Sequence, residues 1–323
     1  MAWWFVMRRR LPAGSSDGSL ERVRMSLYYR HSGRYSPVAL ISTLVPATVA
    51  ALLLGVVYAY VVLYLPFGGY ITLILSLLFG AGVAQVVNRA ARWSRIRSEG
   101  ALRWIALISI VSGFYVSWGV WVYALLARAG VSGMGLASCL NPAVLWKAVQ
   151  AINESGAWSM FGVTPSGYFL GALWLIEAVV IITGACLLVE ITEPYCEQCQ
   201  QWCQTGPIAR IVPMPAEELK SVLESRRLDS LRLSPADDQE ERVELDLSSC
   251  SKCNLMHTLG ARHLTFKVSE GKREVQSNQL LTFLLLTSDE ALALQNLQLL
   301  SAGGDEHGEV AGVIGGDGVD AQV

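Results

Sequence analysis

Residues 168–199 read YFLGALWLIEAVVIITGACLLVEITEPYCEQC, and two features of this stretch set the architecture of the chain. From 168 to 189 the only charge is Glu177, over a length close to the roughly 20 residues a helix needs to cross hydrocarbon at about 1.5 Å per residue. Just beyond it stands Cys196-Glu197-Gln198-Cys199, a spacing that turns two thiols to one side of a tight loop.

Three further apolar runs precede this one. Residues 38–64, 70–88 and 104–127 contain no Asp, Glu, Lys or Arg. With 52% hydrophobic and 16% charged residues, the 323-residue chain exceeds the apolar content of an ordinary soluble protein. The runs are too long and too continuously apolar for alternating barrel strands, so the expected fold class is a membrane all-α four-helix bundle followed by a small α+β domain.

Charge asymmetry orients the spans. Seven arginines lie between Arg8 and Arg34, and Arg89, Arg92, Arg95, Arg97 and Arg103 cluster around the second connection, which assigns both segments to the cytoplasmic side. The uncharged turn Leu65-Pro66-Phe67-Gly68-Gly69 and the sparsely charged connection 128–167 then fall outside, and the C-terminal region returns to the cytoplasm. Tyr58, Tyr60, Tyr64, Phe67, Tyr70, Trp121, Tyr123 and Tyr168 read as outer interfacial anchors, and Trp93 and Trp104 as inner ones. Residues 1–36 form a basic N-terminal segment in this scheme. Met1 to Met7 is apolar ahead of the arginines, the reverse of a signal peptide, so residues 1–24 read as an extension with translation starting at Met25.

Within the spans, Ser109, Gly113 and Ser117 recur every four positions, as do Gly80 and Ala84, a spacing that lets helix backbones approach closely in lipid. Pro46 removes one backbone hydrogen bond and predicts a kink in the first span. A carboxylate in mid-span is costly when ionised and unpaired, so Glu177 is expected to meet a neighbour such as Tyr115, Ser112 or Thr72, or to serve a proton or cation relay. In the outer connection Asn141-Pro142 predicts the start of an amphipathic helix over about 142–153, with Val144, Leu145, Ala148 and Ile152 on one face, either lying on the membrane or capping the bundle mouth.

From residue 191 the composition changes. The remainder of the chain holds 21 acidic and 11 basic side chains, which disfavours nucleic acid as a partner. A second motif, Cys250-Ser251-Lys252-Cys253, follows the alternating Val243-Glu244-Leu245-Asp246-Leu247 strand. Together the pairs predict a zinc-ribbon-like domain over 191–301, with Cys196, Cys199, Cys250 and Cys253 closing a four-thiolate site for zinc; iron uses the same ligands. Cys203 and His257 are the alternative ligands. A helix near 215–226, an acidic loop at 237–241, strands at 264–268, 274–275 and 280–286 with a turn at 270–272, a Ser288-capped helix to about Leu300, and a disordered tail over 302–323 complete the expectation. A disulfide framework is disfavoured in a reducing cytoplasm, and a redox CxxC lacks its βαβ setting.

Gly33-Arg34-Tyr35-Ser36-Pro37, Tyr58-Ala59-Tyr60, Trp174-Leu175-Ile176-Glu177-Ala178 and Tyr195-Cys196-Glu197-Gln198-Cys199 resemble segments of bacterial multi-pass membrane proteins with no assigned function. The resemblance runs from about residue 27 to 300, leaves residues 1–24 outside, and implies a bacterial inner membrane; it supplies no activity.

No phosphate-binding loop, metalloprotease, dinucleotide or nucleophile-elbow motif is present, so no catalytic role is expected. The expected function is a membrane-anchored, metal-stabilised docking or regulatory module that meets a basic protein or a second copy of the chain. The alternatives are a transporter or channel that uses Glu177 and is gated by the metal domain, and a redox or metal sensor.

Overall fold

The computed structural model describes residues 27–64, 70–131, 133–156, 164–232, 241–269 and 272–303. The start site, the turn at 65–69, most of the 237–241 loop, the 270–271 turn and the tail beyond 303 lie outside the described residues. The chain divides into two compact units, one of residues 31–192 and one of 27–30 together with the residues from 193 onward.

Among the described residues, the first unit holds four helices long and apolar enough to cross a membrane. They are α1 (Pro37–Tyr64), α2 (Tyr70–Ser94), α3 (Glu99–Arg128) and α6 (Gly167–Leu187), with α4 (Leu136–Cys139) and α5 (Pro142–Ser155) between the last two. Sequence placed the third span from residue 104, but its helix begins at Glu99. Ser98 caps it by accepting from the Ala101 amide at 3.4 Å, and Glu99 pairs with Arg103 at 3.3 Å in the first turn.

Along most of α1 small residues face inward and large ones outward, with Tyr58 and Leu63 buried near its end. Ala39, Thr43, Ala47, Ala51, Gly55 and Ala59 are buried, while Ile41, Val45, Val49, Leu53 and Val57 are exposed. Water would penalise that second stripe and lipid does not, because hydrocarbon tails are as apolar as the side chains. The buried stripe brings α1 against α3, where a Cβ on Gly113 would collide with the Ala51 carbonyl and one on Gly55 with the Gly113 carbonyl. Gly80 of α2 meets α6 in the same way: a Cβ there would lie 2.5 Å from the Ile181 carbonyl oxygen. Ala84 is buried in this core, and Ser109 hydrogen-bonds Thr48 across the α1–α3 contact at 3.2 Å. Helix α1 runs through Pro46 from Pro37 to Tyr64 without a break.

Helix α5 begins where Asn141 predicts, the Asn141 side chain accepting from the Ala143 amide at 3.0 Å. Leu145, Ala148, Val149 and Ile152 pack with Val122, Trp118 and Trp121 of α3 and with Cys139 of α4. These four side chains of the amphipathic helix thus lie against helices of the same unit. Gly156, at φ +84°, ends it in a conformation that L-residues avoid.

The second unit opens with a hairpin of β1 (Tyr195–Cys196) and β2 (Gln201–Trp202), followed by an antiparallel sheet in the order β3-β4-β5-β6. Its strands are β3 (Gln204–Ile211), β4 (Arg242–Ser249), β5 (His257–Ser269) and β6 (Lys272–Leu286), with helices α7 (Ala216–Glu224) and α8 (Ser288–Gly303). Ala209, Leu245, Ala261 and Leu281 stand in register across the four strands and build a core with Leu219 and Leu223 of α7 and Ala291 and Leu294 of α8. The alternate positions carry Arg210, Glu244 and Arg262. The sequence expectation holds no strand at β3, which contains Gly206 and Pro207; a register shift between Pro207 and Ala209 accommodates them at the sheet edge. It also placed the α8 cap one residue late. Thr287 is the cap: its Oγ1 accepts from the Glu290 amide at 3.3 Å, and the Glu290 carboxylate accepts from the Thr287 amide at 2.8 Å.

The segment before the first span joins this sheet. Tyr28 bridges to Leu284, the Tyr29 amide donates to the Phe283 carbonyl at 2.8 Å, and the Tyr28 hydroxyl donates to Glu224 at 2.8 Å. Sequence assigned these residues to a separate N-terminal segment, because a two-residue pairing has no periodic signature.

Candidate functional site

The first CxxC spans the turn of the β1–β2 hairpin and the second spans the connection from β4 to β5. In each, the residue after the second cysteine adopts a left-handed conformation, Gln200 at φ +52° and Asn254 at φ +53°. That twist reverses the chain, and the Asn254 amide then donates to the Cys250 carbonyl at 3.1 Å while the Cys250 amide donates to the Met256 carbonyl at 3.1 Å.

The Sγ atoms of Cys196, Cys199, Cys250 and Cys253 all lie within 4.8 Å of one another. A tetrahedron with zinc–sulfur bonds of about 2.3 Å has edges of about 3.8 Å, and the Cys196–Cys253 pair stands at 3.7 Å. The cluster can therefore hold a metal ion. Both pairs combine a buried and a half-buried thiol.

The thiols differ in acidity. Burial raises Cys250, but the amides of Cys253 and Lys252 and a 3.2 Å hydrogen bond from Gln201 outweigh it and bring the thiol down to about 6. The Cys253, Cys250 and Cys196 sulfurs crowd Cys199 and push it up to about 12, and burial raises Cys196. One thiolate thus forms readily and discourages the rest, a field that a cation would reverse.

Of the alternative ligands, Cys203 is buried against the four thiols and is pushed up to about 12 by burial and by Cys250, Cys196 and Cys253. It does not belong to the four-sulfur group. His257 is occupied elsewhere: Nδ1 lies 2.8 Å from the Ser249 hydroxyl and Nε2 lies 2.7 Å from the Asn254 carbonyl. It steadies the second CxxC loop from behind, and both ring nitrogens are committed in doing so.

In the first unit, Glu177 accepts a 2.5 Å hydrogen bond from Tyr58, whose hydroxyl also lies 2.9 Å from Ser76. None of the expected neighbours is the partner. Tyr115 donates to the Leu140 carbonyl, Ser112 to the Ile108 carbonyl, and the Thr72 carbonyl accepts from Ser76. Tyr58 looked like an interfacial anchor because it lies near a helix end. Its ring instead turns inward, stacked at 5.2 Å on Phe79.

On the sheet face away from the helices, Glu244 is approached by Arg242 at 3.1 Å, Arg262 at 3.3 Å and Arg210 at 3.9 Å, and Arg262 also reaches Asp246 at 3.2 Å. These arginines are engaged by carboxylates on this face of the sheet. No family model matches this chain, and no curated protein or solved structure matches it.

Proposed function

We propose that the protein is a four-helix-bundle protein of the bacterial inner membrane whose zinc-ribbon-like domain faces the cytoplasm as a docking or regulatory module. The observation that carries this reading is the grouping of four sulfurs within 4.8 Å. Four protein ligands saturate a tetrahedral ion and leave no position for a substrate or an activated water, so the metal's role is to hold two loops together. Zinc fits that role by ligand type, with iron as the alternative for the same thiols. The cytoplasmic assignment draws on the arginines flanking α1 and α2, and the excess of acidic over basic residues beyond 190 suits a basic protein surface or a second copy of the chain. The bacterial setting rests on the resemblance of four short segments.

Metal analysis of the purified full chain tests the site: near-stoichiometric zinc or iron is expected, and neither metal would sink the assignment. Cross-linking in intact membranes tests docking. A discrete adduct that disappears with Cys250→Ser and survives Glu177→Gln supports it, and an adduct pattern indifferent to Cys250→Ser counts against it.

A second reading, transport of a small solute or ion, is favoured by the position of Glu177 against a cavity in the membrane unit. Loss of flux in Glu177→Gln with the adduct intact would select it.

A further inference from the structure

Glu177 is a carboxyl group inside a membrane helix, and Tyr58 is its only hydrogen-bond partner among the described residues. No cation pairs with it there. It borders a chamber of about 40 Å³ between α1, α3 and α6, walled by Tyr58, Phe114, Trp118, Trp121 and Trp174. The rings brace one another edge to face. Trp118 stands 5.0 Å from Trp174 at 88°, 5.5 Å from Trp121 at 79° and 6.3 Å from Phe114 at 86°. Interlocked in this way, the rings hold fixed orientations around the chamber.

A wider cleft of about 820 Å³ shares Phe114, Trp118 and Trp174 with the chamber and extends along Trp146 and Val149 of α5 and Leu175 of α6. Its lining is largely apolar. Two features mark it as more than a gap in packing. Gly171 leaves the α6 wall bare, and Asn153 Oδ1, 4.0 Å from where a Cβ on Gly171 would sit, is buried with no hydrogen-bond partner among the described residues. An acceptor in that state is costly unless a ligand or a water brings a donor.

We propose that chamber and cleft together bind an amphiphile with an ammonium headgroup, the head held by Glu177 and the tryptophan faces and the alkyl tail lying in the cleft. A carboxylate with aromatic faces beside it is complementary to an organic cation, which gains from both the opposite charge and the ring quadrupoles. Size narrows the class. A single water needs about 10–15 Å³ of such space, so 40 Å³ suits a primary ammonium better than a trimethylammonium group. The cleft in turn needs an apolar chain. This site goes beyond the docking reading and requires no transport, because binding is measured at equilibrium.

The test uses the full chain in phosphatidylcholine nanodiscs, following tryptophan emission as dodecylamine or dodecanol is added, with empty nanodiscs subtracted. The expected result is a saturable change with dodecylamine, none with dodecanol, and apparent affinity weaker by about tenfold or more in Glu177→Gln, which keeps an acceptor for Tyr58 but removes the charge. A matching saturable response to dodecanol would overturn the proposal, as would an unchanged affinity in a folded Glu177→Gln protein. Should that variant fail to fold, the amine-against-alcohol comparison in the unaltered protein decides alone.

Discussion

Cys196 and Cys253 stand 57 positions apart in sequence, yet their sulfurs are 3.7 Å apart. The contact ties the β1–β2 hairpin to the β4–β5 connection, but it lies outside the core built by Leu245, Leu259, Leu284 and Leu223. That separation predicts a two-step response to metal removal. A chelator, or Cys253→Ser, is expected to abolish metal content and expose the amides of 195–203 and 250–256 to exchange, while amides in β4 and β5 stay protected. Hydrogen exchange read by mass spectrometry checks this, and simultaneous loss of protection in both regions would show that metal and sheet fold as one unit.

The metal-free thiols should titrate unevenly. Cys250 lies at about 6 against an ordinary 9.0, a depressed value, so its thiolate stabilises the metal-free fold fully above pH 9, and that contribution is lost as the pH falls through 6. Thiolate absorbance of the metal-free chain is expected to show one step near pH 6 that Cys250→Ser removes. Metal-free protein should also melt at lower temperature at pH 5 than at pH 8.

Gly113 predicts a steric effect within the membrane unit. Its Cβ would press on the Ala51 carbonyl, a backbone atom that cannot rotate away, so Gly113→Ala should force α1 from α3 at a cost of about 1–3 kcal/mol. Gly100, in the first turn of the same helix, has nothing among the described residues within 4 Å of its would-be Cβ. Gly100→Ala should be neutral or stabilising by up to about 1 kcal/mol. Thermal melts of the two variants in one detergent make the comparison.

Sequence made the helices legible because lipid demands unbroken apolar length, and the CxxC pairs legible because metal chemistry demands that spacing. What it hid was pairing between distant segments. Glu177 was recognisable as a costly residue, but nothing in the order of residues shows which face of α1 meets α6, so Tyr58 could not be named. The small-residue stripe over Ser109, Gly113 and Ser117 was readable, whereas its partner stripe on α1, mostly alanine, was lost among other apolar residues. Strand β3 was hidden because Gly206 and Pro207 carry turn chemistry that an edge strand can absorb. His257 looked available as a ligand until Ser249 and Asn254 were seen to occupy both nitrogens.

Glu244 holds three arginines on one sheet face while itself only 12% exposed. Removing its charge leaves Arg242, 7% exposed, beside Arg210 and Arg262 with less to neutralise them. Glu244→Gln is expected to destabilise the domain by about 2–3 kcal/mol. At Asp246, burial raises the carboxyl, Arg262 lowers it and Glu244 raises it, so the same substitution should shift the Asp246 titration downward. Chemical denaturation, and carboxyl titration by NMR, read the two effects.

Tyr29 joins the segment before the first span to the four-cysteine cluster. Its hydroxyl donates to the Tyr195 carbonyl and accepts from the Tyr195 amide, both at 3.2 Å, and Tyr195 immediately precedes the ligand Cys196. One side chain thus satisfies both backbone groups of the residue that positions a sulfur. Its ring packs edge-on at 6.1 Å against Phe283, so Tyr29→Phe can keep the packing while removing both hydrogen bonds. Two such bonds are worth about 1–3 kcal/mol together. If they hold the first loop in its ligating shape, their loss should fall on the rate of metal release rather than on the sheet. Tyr29→Phe is therefore expected to lose metal to a chelator about tenfold faster, with β4 and β5 exchange unchanged. An unaltered release rate would mean that the β1–β2 hairpin holds its own shape and that Tyr29 serves only to anchor the chain.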